Sequence, residues 1–270
     1  MKKASSDTPY NHFVRELVET HSESHTYEQI MEKAVGSGFS DVVGMLEREL
    51  LIQYGLKPIH YLIDVGCGSG RLAKPLATYL KGNYLGIDIV PELVEYAQAA
   101  VEKPSWRFET AQGLTIPEQD GRADVVCFFS VLTHLTHEES YLYLQEAKRV
   151  LKPTGKIVFS YLDFQNPFNW DTFQHNIASA GQDNPLNQFI SVDSIKIWAH
   201  HLDLQVETLN RAGSIKLEKP LYTKDGRIVA GNQFLGQSVC VLSKQPMPLW
   251  RRKLNNAVFR LANRLQRLQI

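Results

Sequence analysis

Cysteine is scarce. Cys67, Cys127 and Cys240 are the three in 270 residues, and no Cys-x-x-Cys spacing occurs. That excludes a redox or zinc reading built on the motif, and we expect reduced thiols in the core. Long apolar runs are lacking too. No stretch approaches the roughly 20 apolar residues that span a bilayer, and Met1-Lys2-Lys3-Ala4-Ser5-Ser6-Asp7 leads into no apolar leader segment. We therefore expect a cytoplasmic chain. Net charge is also absent: Lys plus Arg and Asp plus Glu are 29 each, so no global basic field draws nucleic acid. The balance is uneven, however. From Leu249 onward stand Arg251, Arg252, Lys253, Arg260, Arg264 and Arg267 with no acid, leaving 23 basic against 29 acidic residues elsewhere. With 43% hydrophobic residues, the chain can bury one sizeable core, and we expect one domain with additions.

Against these absences stands Leu62-Ile63-Asp64-Val65-Gly66-Cys67-Gly68-Ser69-Gly70, an apolar run ending in three alternate glycines. It reads as a buried strand turning sharply into a helix, with glycine allowing positive φ and close backbone approach to a ligand. Eighteen positions beyond Gly70, Tyr84-Leu85-Gly86-Ile87 ends in Asp88. An acid at the tip of the next parallel strand can accept hydrogen bonds from both hydroxyls of a ribose lying across the turn. The pair points to an adenosine cofactor. A dinucleotide fingerprint has Gly-x-Gly-x-x-Gly spacing and a Walker loop ends in Gly-Lys-Ser/Thr; this chain has neither.

Here the residues resemble the class I S-adenosylmethionine-dependent methyltransferase family. Its first motif is similar to Asp64 through Gly70 and its second acid to Asp88. The likeness continues through Phe108-Glu109-Thr110-Ala111-Gln112-Gly113, Ala123 through Leu135, and Ala147 through Phe159, all within about residues 60 to 162. The resemblance implies S-adenosylmethionine as cofactor. Asp64 would orient the turn and face the cofactor's cationic side, while Gly66, Cys67, Gly68 and Gly70 would border its methionine and adenosine portions. Asp88 would take the ribose hydroxyls and Ile89 would pack on one adenine face. Ala111 and Gln112 would border the adenine edge, and Ser130 and Val131 the methionine end. The family often has an acid where this chain has Thr110.

The rest of the chain supports an α/β fold. Residues 10 to 56 have apolar positions at helical intervals, broken at Gly36-Ser37-Gly38, which predicts a helix, a turn and a second helix. From Tyr61, apolar strands at Tyr61 to Val65, Tyr84 to Ile87, Val125 to Phe129 and Ile157 to Tyr161 alternate with helical segments at Leu72 to Tyr79, Pro91 to Val101 and Glu138 to Leu151. This alternation argues a parallel sheet with crossover helices. Residues 163–190, rich in Asn, Gln, Pro and aromatics, read as a lid or substrate loop. Ser191 reads as an N-cap for a helix over Val192 to His201, followed by strand Leu204 to Leu209, an Asp225-Gly226 turn and a last strand near Ser238 to Leu242. We thus expect a doubly wound, mostly parallel seven-stranded Rossmann-like sheet, whose last strand the resemblance makes antiparallel. The organisation is a helical cap over 1–57, a cofactor domain over 58–245 and an amphipathic basic helix over 246–270. In that tail Trp250, Leu254, Ala257, Val258, Leu261, Leu265 and Leu268 recur at spacings of three and four, which suits an anionic membrane surface, the domain itself or a second subunit.

Methyl transfer at a sulfonium carbon requires in-line positioning and exclusion of water more than a strong catalytic group. His134, just past the fourth strand, is the candidate general base for a substrate hydroxyl. His137, Asp163 and His175 are weaker candidates, and His200-His201 read as surface residues because adjacent helical positions diverge. No acidic cluster calls for a metal. Asn166-Pro167-Phe168-Asn169 is similar to a signature of amino-methylating nucleic-acid enzymes but follows the wrong strand, and a Pro-Cys nucleophile is missing. We expect O-methylation of a small-molecule, sugar or glycan hydroxyl. Open alternatives are C- or N-methylation of a quinone, lipid or amine, a noncatalytic cofactor-binding partner subunit, and a dinucleotide-dependent oxidoreductase.

Overall fold

The computed structural model describes residues 9–21, 26–35, 40–181, 187–212, 217, 221–222, 228–229 and 236–244. Its N-terminal part holds three helices, α1 (Pro9–His21), α2 (Tyr27–Ala34) and α3 (Ser40–Gln53), where the sequence pattern predicts two. The additional start is at Thr26, whose hydroxyl accepts from the Gln29 N–H while the Gln29 side chain accepts from the Thr26 N–H. This reciprocal capping box begins a new helix, and Thr26-x-x-Gln29 was the signal for it.

Five parallel strands follow: β1 (Leu62–Val65), β2 (Tyr84–Asp88), β3 (Arg107–Thr110), β4 (Ala123–Phe128) and β5 (Leu151–Tyr161). The crossovers carry α4 (Ala73–Leu76), α5 (Pro91–Ala100) and α6 (His137–Val150). After β5 come α7 (Trp170–Ala178), α8 (Val192–His201), β6 (Leu204–Asn210), the short pair β7 (Leu221–Tyr222) and β8 (Ile228–Val229), and β9 (Ser238–Lys244). The main sheet has seven strands in the order β3-β2-β1-β4-β5-β9-β6, with β9 antiparallel to both neighbours. The expected architecture is therefore present. Strand order reverses between β1 and β4, and at such a switch the carboxyl ends of the strands leave a crevice for ligands.

Strand β1 is buried at all four positions, as befits the centre of a sheet covered on both faces. One apolar layer, with Phe128, Leu144 and Ile195, lies on one face; another, with Leu62, Leu76 and Val241, lies on the other. The cap closes a third cluster in which Val14, Ile30 and Met31 pack with Val90 and Leu93 at the start of α5.

Two expectations need correction. The helix predicted over Leu72 to Tyr79 is α-helical only over Ala73–Leu76, because Pro75 has no N–H to give the Arg71 carbonyl. Residues 163–190 are more than a loop: α7 forms there, with apolar Trp170, Phe173 and Ile177 at helical spacing that the surrounding Asn and Gln obscured. The tail 246–270 and the Asp225-Gly226 turn lie outside the described residues. Among the described residues, no helix is long and apolar enough to cross a membrane.

The cap is fastened to the glycine turn by charge. Arg71 donates to both Glu47 carboxylate oxygens, at 2.6 and 3.3 Å, and to the Val35 carbonyl at 3.0 Å. The Glu47 side chain is 1% exposed, so removing its partner strands a buried charge. Arg71→Ala is expected to cost about 3–5 kcal/mol in urea unfolding, with Glu47→Leu/Arg71→Met recovering most of it; a loss below about 1 kcal/mol for Arg71→Ala would contradict the buried pair.

Candidate functional site

The turn after β1 is drawn across the end of β2 because the Gly66 and Cys67 N–H groups both donate to the Ile87 carbonyl, at 2.7 and 3.0 Å. Gly66, Gly68 and Gly70 have φ of 75°, 52° and 80°, the left-handed region in which a side chain is strained. Space enforces the same choice. A Cβ on Gly66 would stand 2.2 Å from Val131 Cγ2, and one on Gly68 would stand 2.6 Å from Val35 Cγ1. The turn thus faces the end of β4 on one side and the cap on the other.

Asp88 closes the turn from the next strand. Its Oδ2 accepts from the Gly68 N–H at 2.9 Å and its Oδ1 from the Val90 N–H at 3.0 Å. Burial raises its pKa against the effect of these N–H groups. A carboxylate has about four acceptor sites, and with the Ile89 N–H as a third backbone donor it keeps acceptor capacity for a ribose hydroxyl. The glycine cradle and this remaining acceptor capacity fit an adenosine cofactor. The Ala111 N–H donates to the Asp88 carbonyl at 2.7 Å and brings the turn after β3 alongside. Gln112 is exposed at its rim. Ile89 packs against the apolar cluster of the cap. The Cys67 thiol is buried, and burial holds its pKa well above the ordinary value.

The end of β4 is strained. Ser130 is a non-glycine residue at φ 60°, a conformation kept only where surroundings enforce it. Its N–H donates to Ser160 Oγ at 2.7 Å, Ser160 Oγ donates to Gln237 Oε1 at 2.6 Å, and Gln237 Nε2 returns to Ser130 Oγ at 3.1 Å. This closed ring aims Val131 at Gly66. His134 ends the 3-10 turn Leu132–His134 and is exposed, with its ring 5.7 Å from that of Tyr10 in the cap. The Tyr10 hydroxyl donates to the Ala34 carbonyl at 2.6 Å. Burial lifts its pKa, and the Asp88 charge is the next cause, so the cap reaches over the turn to the acid. Sequence reasoning missed Tyr10, the Arg71–Glu47 pair and the Ser160–Gln237 ring because none leaves a local spacing signal.

Other candidates lie elsewhere. His137 Nε2 pairs with the Phe189 carbonyl at 2.9 Å, a contact that fastens the segment before α8. His175 is exposed on α7, and His200 and His201 are exposed on α8. Among the described residues no cluster is suited to a metal. A cavity of about 530 Å³ opens at the opposite edge of the sheet, beside Asp120, Lys148, Arg149 and Lys244. Its charges already have partners: Arg149 pairs with Asp120 and Lys244 caps the Lys148 and Leu151 carbonyls.

Residues 63–159 match the family described as "Methyltransferase domain". A 2-phytyl-1,4-naphtoquinone methyltransferase of Trichormus variabilis is 35% identical over 136 residues, 47% of this chain and 58% of that protein. A ubiquinone biosynthesis O-methyltransferase of Azorhizobium caulinodans is 28% identical over 126 residues, 43% of this chain and 49% of that protein. The chain spans about half the length of the curated relatives it matches. The crystal structure of magnesium protoporphyrin IX methyltransferase from Synechocystis, with bound SAH, aligns with a TM-score of 0.56 at 15% identity, covering 86% of this chain and all of that one. That likeness is one of fold. Residues 63–159 thus form a methyltransferase domain, with the fold of S-adenosylmethionine-dependent methyltransferases.

In this methyltransferase domain Asp64 stands behind the glycine turn. Its Oδ2 accepts from the Tyr84 hydroxyl at 2.7 Å and its Oδ1 from the Cys127 thiol at 3.4 Å. Burial raises its pKa to about 7, against the Tyr84 hydrogen bond, with the nearby Glu47 charge adding to the rise. A carboxyl whose pKa is raised on folding contributes stability in full below its unfolded value near 4, and that contribution is lost as pH rises through about 7. Urea midpoints measured at pH 5.5 and 8.5 are therefore expected to fall further for the wild type than for Asp64→Asn, and parallel behaviour of the two would contradict a buried, protonated Asp64.

Proposed function

We propose that this chain transfers the methyl group of S-adenosylmethionine to a hydroxyl of a small molecule. The observation that carries this reading is the Asp88 carboxylate, fixed beside the glycine turn by backbone N–H groups yet with acceptor capacity left over. Asp88 holds the ribose, Gly66, Gly68 and Gly70 let the cofactor lie against the peptide planes, and Ile89 and Ala111 border the adenine. Cys67 and Gln112 complete the turns around it. S-adenosylmethionine supplies an activated methyl group when bound.

The remaining work is positional. Ser130 and Val131 set the methionine end, and Asp64 orients the glycine turn. His134 takes the acceptor's hydroxyl proton. The cap over residues 1–57 and the segment 163–190 border the acceptor and keep water out. Methylation at carbon on a quinone is a second reading, supported by the naphthoquinone methyltransferase among the relatives. The basic, apolar sequence of 246–270 supports contact with an anionic membrane surface or a second subunit.

Calorimetry tests the cofactor. S-adenosylmethionine is expected to bind and a nicotinamide dinucleotide not to bind, with Asp88→Ala weakening the former by about 1–3 kcal/mol. Incubation with labelled S-adenosylmethionine and fractionated cell extract is expected to place label in a small molecule. An unchanged affinity in Asp88→Ala would refute the ribose assignment, and binding without methylation of any fraction would favour a noncatalytic partner subunit.

A further inference from the structure

The carboxyl end of β5 holds two buried oxygens that the methyl-transfer reading does not use. Asp163 is 1% exposed. Its Oδ1 accepts from the Gln165 N–H at 3.0 Å, while its Oδ2 is buried with no hydrogen-bond partner. Tyr161 is fully buried. Its hydroxyl has Ser238 for a neighbour but makes no hydrogen bond, and after burial the Asp163 charge is the largest cause of its raised pKa. The two oxygens therefore share one locality. A carboxylate oxygen buried without a donor is costly, and such an oxygen is a ready acceptor for any O–H or N–H that reaches it.

The backbone around Asp163 is held firmly. Its carbonyl accepts from the Asn166 N–H at 3.1 Å, and the Leu162 carbonyl accepts from the Ile190 N–H at 2.9 Å. With its amide oriented to satisfy both neighbours, Asn169 accepts from the Asp163 N–H at 3.1 Å and donates to the Gly236 carbonyl at 3.0 Å. Gly236 adjoins Gln237, the residue that holds strained Ser130. On the other side the Gln188 N–H donates to the Thr133 carbonyl at 2.7 Å, one residue from His134. Asp163 thus lies next to the end of β4, on the same sheet edge as the glycine turn.

Aromatic rings gather on the residues that flank Asp163, Phe164 next in the chain and Phe189 bridged to Leu162. Phe164 stands 4.7 Å from Phe189 and 5.4 Å from Phe173, and Trp170 stands 5.2 Å from Phe173, centroid to centroid. Phe164 and Trp170 are each about half exposed, at 49% and 50%, so the cluster is partly open to solvent, and it begins at the residue next to Asp163. Flat rings recognise another ring by offset or edge-to-face stacking, and a carboxylate oxygen recognises a hydrogen-bond donor.

We propose that Asp163 is the acceptor-recognition residue and that the methyl acceptor is an aromatic ring carrying two hydroxyls, the ring stacked on the Phe164, Phe173 and Trp170 cluster, one hydroxyl giving its proton to His134 and the other hydrogen-bonded to Asp163 Oδ2 beside Tyr161. This deepens the methyltransferase reading and rests on it. It also makes specificity a matter of pairing: a ring without a donor leaves the carboxylate oxygen unmatched, and a hydroxyl without a ring leaves the aromatic faces to water.

The test uses the full chain with S-adenosylhomocysteine and three probes of similar size, followed by saturation-transfer NMR titration. Catechol supplies ring and donor, anisole the ring alone, and cyclohexane-1,2-diol the donor alone. Catechol is expected to bind at least tenfold more tightly than either of the others. Asp163→Asn is expected to lose at least tenfold of that affinity, and Phe164→Ala, at a half-exposed position that tolerates truncation, at least fivefold. Calorimetric affinity for S-adenosylhomocysteine is expected to stay within twofold of wild type in both variants. Equal binding of catechol and anisole, an Asp163→Asn chain that binds catechol like wild type, or no catechol binding at all would overturn the proposal. If Asp163→Asn does not fold, the probe series on the wild type and Phe164→Ala still decide it. Failure of S-adenosylhomocysteine to bind the wild type would instead refute the cofactor reading, a result distinct from any in the probe series.

Discussion

Everything at this sheet edge depends on one carboxylate. Asp88 accepts the Gly68 N–H with one oxygen and the Val90 N–H with the other, tying the turn after β1 to the start of α5. Without it the three left-handed glycines would gain freedom that the turn must lose on folding. Because the carboxylate keeps acceptor capacity beyond these N–H groups, the group that builds the turn is also the one proposed to hold a ribose. On the proposed reading, structure and binding are coupled in a single side chain.

The neighbouring elements are arranged around that clasp by close packing and buried charge. Val131 and Val35 occupy the space that side chains on Gly66 and Gly68 would need, so the β4 end and the cap register directly on the turn. Arg71 and Glu47 carry the cap's third helix to the same place, and the Ser130–Ser160–Gln237 ring holds a strained backbone at the other side. None of these groups performs bond chemistry. They fix distances, which is the kind of work that methyl transfer from an activated cofactor asks of a protein.

The sheet was legible because its strands are buried on both faces and read as short apolar runs, and because the alternate glycines and Asp88 carry a spacing with a physical cause. The antiparallel β9 was legible through the resemblance. Strand β3 was less so: Arg107 and Glu109 alternate with Phe108 at an edge where one face meets solvent, and four residues give little periodicity. The second cap helix depended on a single capping box at Thr26. Tyr10, Glu47 and Gln237 could not be assigned from spacing, since each acts on a residue far away in the chain. Asp64 has partners its motif does not name, the Tyr84 hydroxyl and the Cys127 thiol, each distant in the chain.

The most direct measurement is a crystal structure of the full chain with S-adenosylhomocysteine. The account predicts the ribose hydroxyls on the two Asp88 oxygens, the peptide planes of Gly66 to Gly70 against the ligand, and the adenine between Ile89 and Ala111. A ligand bound away from this turn, or an Asp88 still engaged only with backbone N–H groups while the ribose rests elsewhere, would contradict it.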